Sequence, residues 1–235
     1  METKQDKVTF VIPACNSMPH IQATIYSLYQ STEYPFKIII VESESTDGTK
    51  EYVDYLAIVH ENIKVIHTKK EGTVKAFNAG IRETEKDSHV FLCHDDVFFF
   101  KWYMRDWLQR CINILKNDPS IGILIPMNGG GTSGSDYIEG FIWAGSWSVL
   151  IRNDAIEKLG KEMFLDENFG KGFGDDIDMT YRINKFGYIL GKTEFWIDHH
   201  RLSEHRYENN TDAEKIKKQN AEYFRKKYKL AEFKE

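Results

Sequence analysis

His94-Asp95-Asp96 follows directly on the apolar run His89–Cys93, so two consecutive carboxylates stand where a buried strand reaches the surface. Adjacent anions in such a place repel one another unless a cation joins them. A hard divalent ion, Mg2+ or Mn2+, supplies that charge and can hold phosphate oxygens as well. A turn role is the plainer alternative for Asp95. A second cluster, Asp175-Asp176-Ile177-Asp178, opens a run of helical period after Lys171–Gly174. Carboxylates at a helix N-terminus are stabilised by its dipole, and for Asp178 that is expected to be the whole account. Arg182 lies two turns beyond Asp175 on the same face, where it is expected to orient the cluster or reach phosphates.

A third group surrounds Glu42, just past the apolar Lys37–Val41. Its carboxylate can accept a hydrogen bond from a nucleobase edge, while Pro13, Ala14 and Asn16, after Val8–Ile12, bring backbone groups beside the same base. A solvated loop carboxylate is the competing reading of Glu42. Lys75 and Asn78 open a helix whose N–H groups and cation would favour a diphosphate or hold the base. The alternatives there are a solvated surface lysine and, for Asn78 with Gly80, tight packing of helix on sheet. Asp47 suits a helix cap.

These groups need a frame that gathers them. Short β-branched runs alternate with helical stretches in the first half, the pattern of parallel strands joined by helical crossovers. Strands are expected at Val8–Pro13, Lys37–Val41, Ile63–His67, His89–Cys93 and Ile121–Pro126. The intervening helices are expected at Ser17–Gln30, Asp47–Val59, Thr73–Glu85 and Trp102–Asn117. The polar residues just listed then fall after strand ends, on the carboxyl edge where open α/β sheets bind ligands. Beyond that edge, Asn128–Ser135 reads as a flexible glycine-rich loop and Phe141–Ile151 as an aromatic strand or strand pair. Helices Asn153–Leu159 and Asp175–Phe186 and a strand Tyr188–Ile197 follow, before an amphipathic helix Asp212–Lys229 rich in lysine.

The 235 residues allow one catalytic domain, 1–210, with a basic amphipathic appendage, 211–235. A formal charge of -5 argues against general nucleic-acid binding, which needs a basic surface. Three cysteines without metal or redox spacing read as reduced thiols, and no apolar run approaches the roughly 18 residues of a membrane span, so a cytoplasmic protein is expected.

Taken in order, VIPACN, VESESTDGT, GTVKAFNAGI, FLCHDDV, LDENF and GFGDDIDMTYRINKFGY resemble the motif series of the inverting glycosyltransferase family 2, from about Val8 to His200. The resemblance implies a GT-A fold of α/β class, a Rossmann-like and mostly parallel sheet with flanking helices. It implies transfer from a UDP-, GDP- or dTDP-linked sugar to a glycan, lipid-linked or protein acceptor. An Asp usually stands in the place of Glu42, and Lys75 occupies that of a basic residue. The family's Asp-x-Asp metal motif begins here with His94 and ends with Asp96, which moves the ligand burden to Asp96 with His94 or Asp95 assisting. In the Glu-Asp-x-Asp motif Asp175 replaces the Glu, and Asp176 takes the place of the general base. A late histidine, His199 or His200, would complete the metal or diphosphate site. Trp143, Gly145 and Trp147 resemble the segment lining the acceptor and donor-sugar side, with core packing as the other reading.

A nucleotidyltransferase would also want carboxylates and metal on an α/β sheet, but it needs a glycine-rich basic loop after the first strand, and PACNSMPH offers none. A non-catalytic sugar-binding module would have no use for Asp176 and Asp96. In the appendage, Lys215, Lys217, Lys218, Arg225, Lys226, Lys227 and Lys229 accompany Ile216, Tyr223, Phe224 and Leu230. That stripe either packs on the domain or lies peripherally on an anionic membrane.

Overall fold

The computed structural model describes residues 5–100, 105–132, 137–169, 173–200 and 210–230. Its first half follows the alternation of apolar runs: β1 (Lys7–Ala14), α1 (His20–Ser31), β2 (Lys37–Ser43), α2 (Thr49–Val59), β3 (Ile63–Thr68), α3 (Thr73–Arg82) and β4 (Ser88–Cys93). β1, β2 and β4 are apolar almost throughout because helices cover both faces of the sheet. The remaining elements are β5 (Val97–Phe99), α4 (Trp107–Asn117), β6 (Ile121–Ile125), β7 (Gly130–Thr132), β8 (Ile142–Ala144), β9 (Ser148–Ile151), α5 (Asn153–Leu159), α6 (Asp175–Lys185), β10 (Ile189–Lys192), β11 (Ile197–His199) and α7 (Asn210–Tyr228).

The main sheet has the order β10-β6-β9-β4-β1-β2-β3. All neighbours in it are parallel except β9, which runs antiparallel to both β4 and β6. One face packs Phe10, Ile12, Ile38 and Ile40 against α1, α2 and α4. The other packs Val11, Ile39 and Val41 against Phe77 and Ile81 of α3, Ile156 of α5 and Ile183 of α6. Gly80 permits the close seat of α3, since a Cβ there would lie 2.3 Å from Val11 Cγ1.

Several expected elements divide. Phe141–Ile151 becomes β8 and β9, which belong to different sheets. Part of the expected flexible loop is β7, paired with β8 through Gly131 and Trp143. Tyr188–Ile197 becomes β10, an edge strand of the main sheet, and β11, paired antiparallel with β5. Thr193 makes the break by donating its N–H and hydroxyl to Ile125 O. α4 is described from Trp107; Trp102, its expected start, lies outside the described residues, as do 133–135 of the loop.

α7 docks on the far side of α6. Phe224 is fully buried with Phe169 and Ile177, and Tyr137, Tyr181 and Tyr228 pack around them. Burying a phenylalanine side chain contributes roughly 2 to 3 kcal/mol. The apolar stripe of α7 is thus occupied within the fold. Among the described residues, no helix is long and apolar enough to cross a membrane.

Candidate active site

Loops from the carboxyl ends of β1 and β2 are sewn together. Asn16 N–H donates to Ser45 Oγ at 2.9 Å, and Asn16 Oδ1 accepts from Thr46 N–H at 2.8 Å. Ser17 N–H donates to Thr49 Oγ1 and Met18 N–H to Asp47 Oδ2. Asp47 Oδ1 also accepts from the first N–H of α2, Thr49, at 3.0 Å, although the cap position itself is Gly48 and Asp47 stands one residue before it. Pro13 and Ala14 end β1 beside Val41 and Glu42, both strands still in register.

Glu42 is not a solvated carboxylate. It is 2% exposed, with Oε1 accepting from Ser45 N–H at 2.7 Å and Oε2 3.0 Å from His67 Nδ1. Burial works to raise its pKa, but those hydrogen bonds outweigh it and hold the carboxyl below the usual glutamate value. Asn78 departs from its expected nucleotide role. Fully buried, its amide donates to Leu165 O at 2.8 Å and Glu167 Oε1 at 3.1 Å and accepts from Leu165 N–H at 2.8 Å, which commits both of its N–H donors within the fold. The packing alternative describes Asn78 and Gly80. Lys75 sits at the surface, 3.0 Å from Glu71.

Beyond β4, the chain turns through His94-Asp95-Asp96 into β5, and β11 returns antiparallel to it, pairing His199 with Val97. The ligand atoms of His94, Asp96 and His199 lie within 4.8 Å of one another. His199 Nε2 is 3.2 Å from Asp96 Oδ1. His199 is braced by Trp147, whose ring stacks on it at 4.6 Å and 8°, and His94 stacks on Phe77 at 5.8 Å. Two imidazoles and a carboxylate converging from two chain segments, the turn after β4 and the end of β11, suit a divalent transition ion such as Mn2+. His200 turns away, with its side chain half-exposed near Asp198, and only its backbone N–H reaches Asp96 O. Asp95 is buried and accepts from the Ser17 hydroxyl, so it ties β4's loop to β1's.

The second carboxylate cluster begins at Gly174, whose φ of +97° and contact with Tyr137 exclude a side chain: a Cβ would sit 2.6 Å from the Tyr137 hydroxyl. α6 starts immediately after. Asp175 is 6% exposed, and Ser146 Oγ lies 3.4 Å from its Oδ2. Burial pushes its carboxyl up to about 6. Burial and the adjacent Asp175 charge raise Asp176 well above the usual range as well. Ala144 N–H donates to Thr180 Oγ1, anchoring β8 to α6. One short segment therefore serves both clusters: Ser146 meets Asp175, and Trp147 meets His199 while its carbonyl accepts from His94 N–H. Gly145 makes this possible, because a Cβ there would strike the Trp147 ring at 2.7 Å. Trp143 packs in the α7 cluster and against Gly131.

Asp178 requires a correction. It is fully buried and accepts from Arg182 Nε at 2.7 Å, Lys227 Nζ at 2.6 Å and the Tyr228 hydroxyl at 2.7 Å. A dipole interaction alone would not remove a carboxylate from water; a double cation partner does. Arg182 is committed to Asp178 and Phe164 O, not to the Asp175 cluster or to phosphates. Lys227 also reaches Asp166 at 2.8 Å, where, against the effect of burial, Lys227, Asn168 and Tyr223 hold the carboxyl at about 2.

Sequence reasoning missed Ser17, His67, Ser146 and Asp166. Only Asp166 left a trace, inside LDENF; the others depend on strand pairing between distant segments.

The matches to known proteins agree with this architecture. The family model "Glycosyl transferase family 2" matches residues 9–165. An uncharacterized glycosyltransferase of Haemophilus influenzae is 23% identical across 92% of this chain and 74% of its own length. Succinoglycan biosynthesis protein ExoA of Rhizobium meliloti is 25% identical, covering 78% of this chain and 60% of that protein. Among solved structures, the mannosyltransferase PcManGT of Pyrobaculum calidifontis, in complex with GDP-Man and Mn2+, superposes with a TM-score of 0.58 at 22% identity, over 82% of this chain and 56% of that one. TarS of S. aureus in complex with UDP gives 0.58 at 18% identity, over 80% and 58%. This chain thus spans little more than half of those structures. The sheet, the helical layers and these superpositions establish a GT-A fold, and the match over residues 9–165 places the chain in glycosyl transferase family 2.

Proposed function

We propose that the chain transfers a sugar from a nucleotide-diphosphate sugar to an acceptor hydroxyl with inversion at the anomeric carbon. The observation that carries this reading is the single segment Ser146-Trp147, which touches both the His94–Asp96–His199 cluster and the Asp175–Asp176 pair. PcManGT was solved with GDP-Man and Mn2+, and TarS with UDP and with UDP-GlcNAc, which supports a nucleotide-sugar donor here.

In this reading the donor lies along the carboxyl edge, its nucleotide over the ends of β1, β2 and β3 and its diphosphate near the end of β4. His94, Asp96 and His199 would hold a divalent ion, Mn2+ or Mg2+, which when bound supplies positive charge to the departing diphosphate. The acceptor oxygen forms the new bond to the anomeric carbon as the bond to the phosphate oxygen breaks, and that electron pair leaves with the nucleoside diphosphate. Asp176 takes the acceptor proton. A carboxylate whose pKa is raised by burial and by a neighbouring anion is a stronger base at neutral pH than an exposed aspartate. Asp175 maintains that neighbouring charge and is itself oriented by Ser146.

Asp176→Asn is expected to lower turnover by on the order of a hundredfold or more while leaving UDP or GDP affinity nearly unchanged. Near-normal turnover in this variant would remove Asp176 from the role. Residues 1–210 supply the donor and metal groups in this proposal, and within 211–235 it is α7 that serves as a buttress to α6, supported by the burial of Phe224 and the Lys227 bonds.

A further inference from the structure

The carboxyl edge of β3 holds a side-chain cluster that the proposed transfer leaves unused. Glu42 of β2 and His67 of β3 are directly paired positions. His67 lies between two carboxylates, with Nδ1 3.0 Å from Glu42 Oε2 and Nε2 3.0 Å from Asp54 Oδ1 on α2. Asp54 in turn accepts from Lys50 Nζ at 2.6 Å. Glu42 is buried with its other oxygen taken by Ser45 N–H, so its carboxylate faces inward. The surface above it belongs to His67, whose side chain is 46% exposed.

Both ring nitrogens are engaged, and what His67 presents to solvent is a carbon edge and the flat faces of the ring. A planar surface held at both ends loses little further freedom when something stacks on it, and a nucleobase is the planar partner every nucleotide carries. The location fits. From β3 the sheet runs through β2 and β1 to β4, three strand spacings or about 14 Å. An extended nucleoside diphosphate lying across those strand ends would put its base near His67 and its phosphates near His94 and Asp96.

We propose that His67 is the residue on which the donor nucleobase stacks, and that Glu42 and Asp54 are positioning residues that clamp its ring, so that Glu42 does not itself read the base edge. The inference rests on the nucleotide-sugar reading above. Stacking tolerates any base, whereas a carboxylate at a base edge discriminates among them by their N–H groups.

Calorimetry with UDP, GDP, CDP and pyrophosphate, each with Mn2+, separates the two. His67→Ala should weaken all three nucleotides by about tenfold and leave pyrophosphate unchanged, and His67→Phe should recover most of the loss. Glu42→Gln and Asp54→Asn should each weaken the nucleotides by a smaller factor, again without base preference. The proposal is overturned if His67→Ala binds UDP like the wild type, if His67→Phe gives no recovery, or if pyrophosphate affinity falls in step with the nucleotides. It is overturned too if Glu42→Gln weakens UDP and GDP but spares CDP. Failure of the wild-type protein to bind any of the nucleotides would instead defeat the underlying donor reading, and this inference with it.

Discussion

Asp175 and Asp178 sit almost one turn apart on α6 and are both buried, yet their surroundings are opposite. Asp178 is met by Arg182, Lys227 and Tyr228. Asp175 has a serine hydroxyl at 3.4 Å and, among the described residues, no cation. Burial is common to both, so it is the partners that make the difference between them: they offset its cost at Asp178 and leave it standing at Asp175. Near the ends of one helix turn, the molecule keeps a neutralised carboxylate that fixes α6 to α7 and a destabilised one beside Asp176. The first resembles an anchor, the second a group held ready for protons.

The largest test attacks the anchor. Asp178→Leu leaves Lys227 and Arg182 facing an apolar side chain and should cost about 3 to 5 kcal/mol in urea unfolding, the range for breaking a buried ion pair from one side. A loss under 1 kcal/mol would mean that both cations find water easily and that the anchor is ornamental.

Asp175→Asn tests the other half with the opposite sign. Because the native pKa is raised to about 6 from 3.8, the folded state binds this proton more tightly than the unfolded chain. Its contribution therefore favours folding below about pH 4 and is lost as pH rises through 6, leaving a fixed cost of about 3 kcal/mol above that. The stability of Asp175→Asn relative to wild type should rise by about 2 to 3 kcal/mol between pH 4 and pH 7.5, measured by urea titration at each pH. A difference that does not change with pH would show that Asp175 carries no proton beyond the usual range.

A smaller effect is expected at the metal candidate. Asp96→Ala should abolish any strengthening of UDP or GDP binding by Mn2+, and the wild type should lose the same increment in excess chelator. Equal affinities with and without chelator would identify a metal-independent site. Smallest of all, Lys75→Ala removes only a surface pair with Glu71 and should change stability by less than about 0.5 kcal/mol. A loss of UDP affinity in that variant would place Lys75 at the donor site.

The parallel half of the sheet was legible because β1, β2 and β4 are written as nearly uninterrupted apolar runs and β3 as a short run with β-branched residues, each followed or preceded by a stretch of helical period. β5, β7, β8 and β11 have three residues each, too few to show alternation, and they exist because distant segments pair. β9 carries no mark of running against its neighbours. Within the site, Asp96, His94 and the Asp175–Asp176 pair could be read from local charge placed after apolar runs. The choice between His199 and His200 was legible in principle: Ile197 and His199 share a strand face by period two, and Ile197 is fully buried. Asn78 and Lys227 misled for one reason. A polar side chain in a helix looks alike from sequence whether it meets solvent or a backbone carbonyl from nearly 90 residues away, as Asn78 does.

Position of β9 carries a consequence for assembly in time. It is wedged between β4 and β6, so the centre of the sheet is made of strands that do not follow chain order. A ribosome emitting this chain delivers β1 to β4 early, and these can pair as they emerge. β6 has no neighbour until β9 arrives, and His199, then Lys227, come later still. Such non-local pairing is slow because loop closure precedes the contacts that reward it. In refolding experiments with single-tryptophan variants, fluorescence of Trp107, which packs on Phe10 and Phe91, should therefore recover before that of Trp147, which stacks on His199, and simultaneous recovery would show that the sheet closes as one cooperative unit.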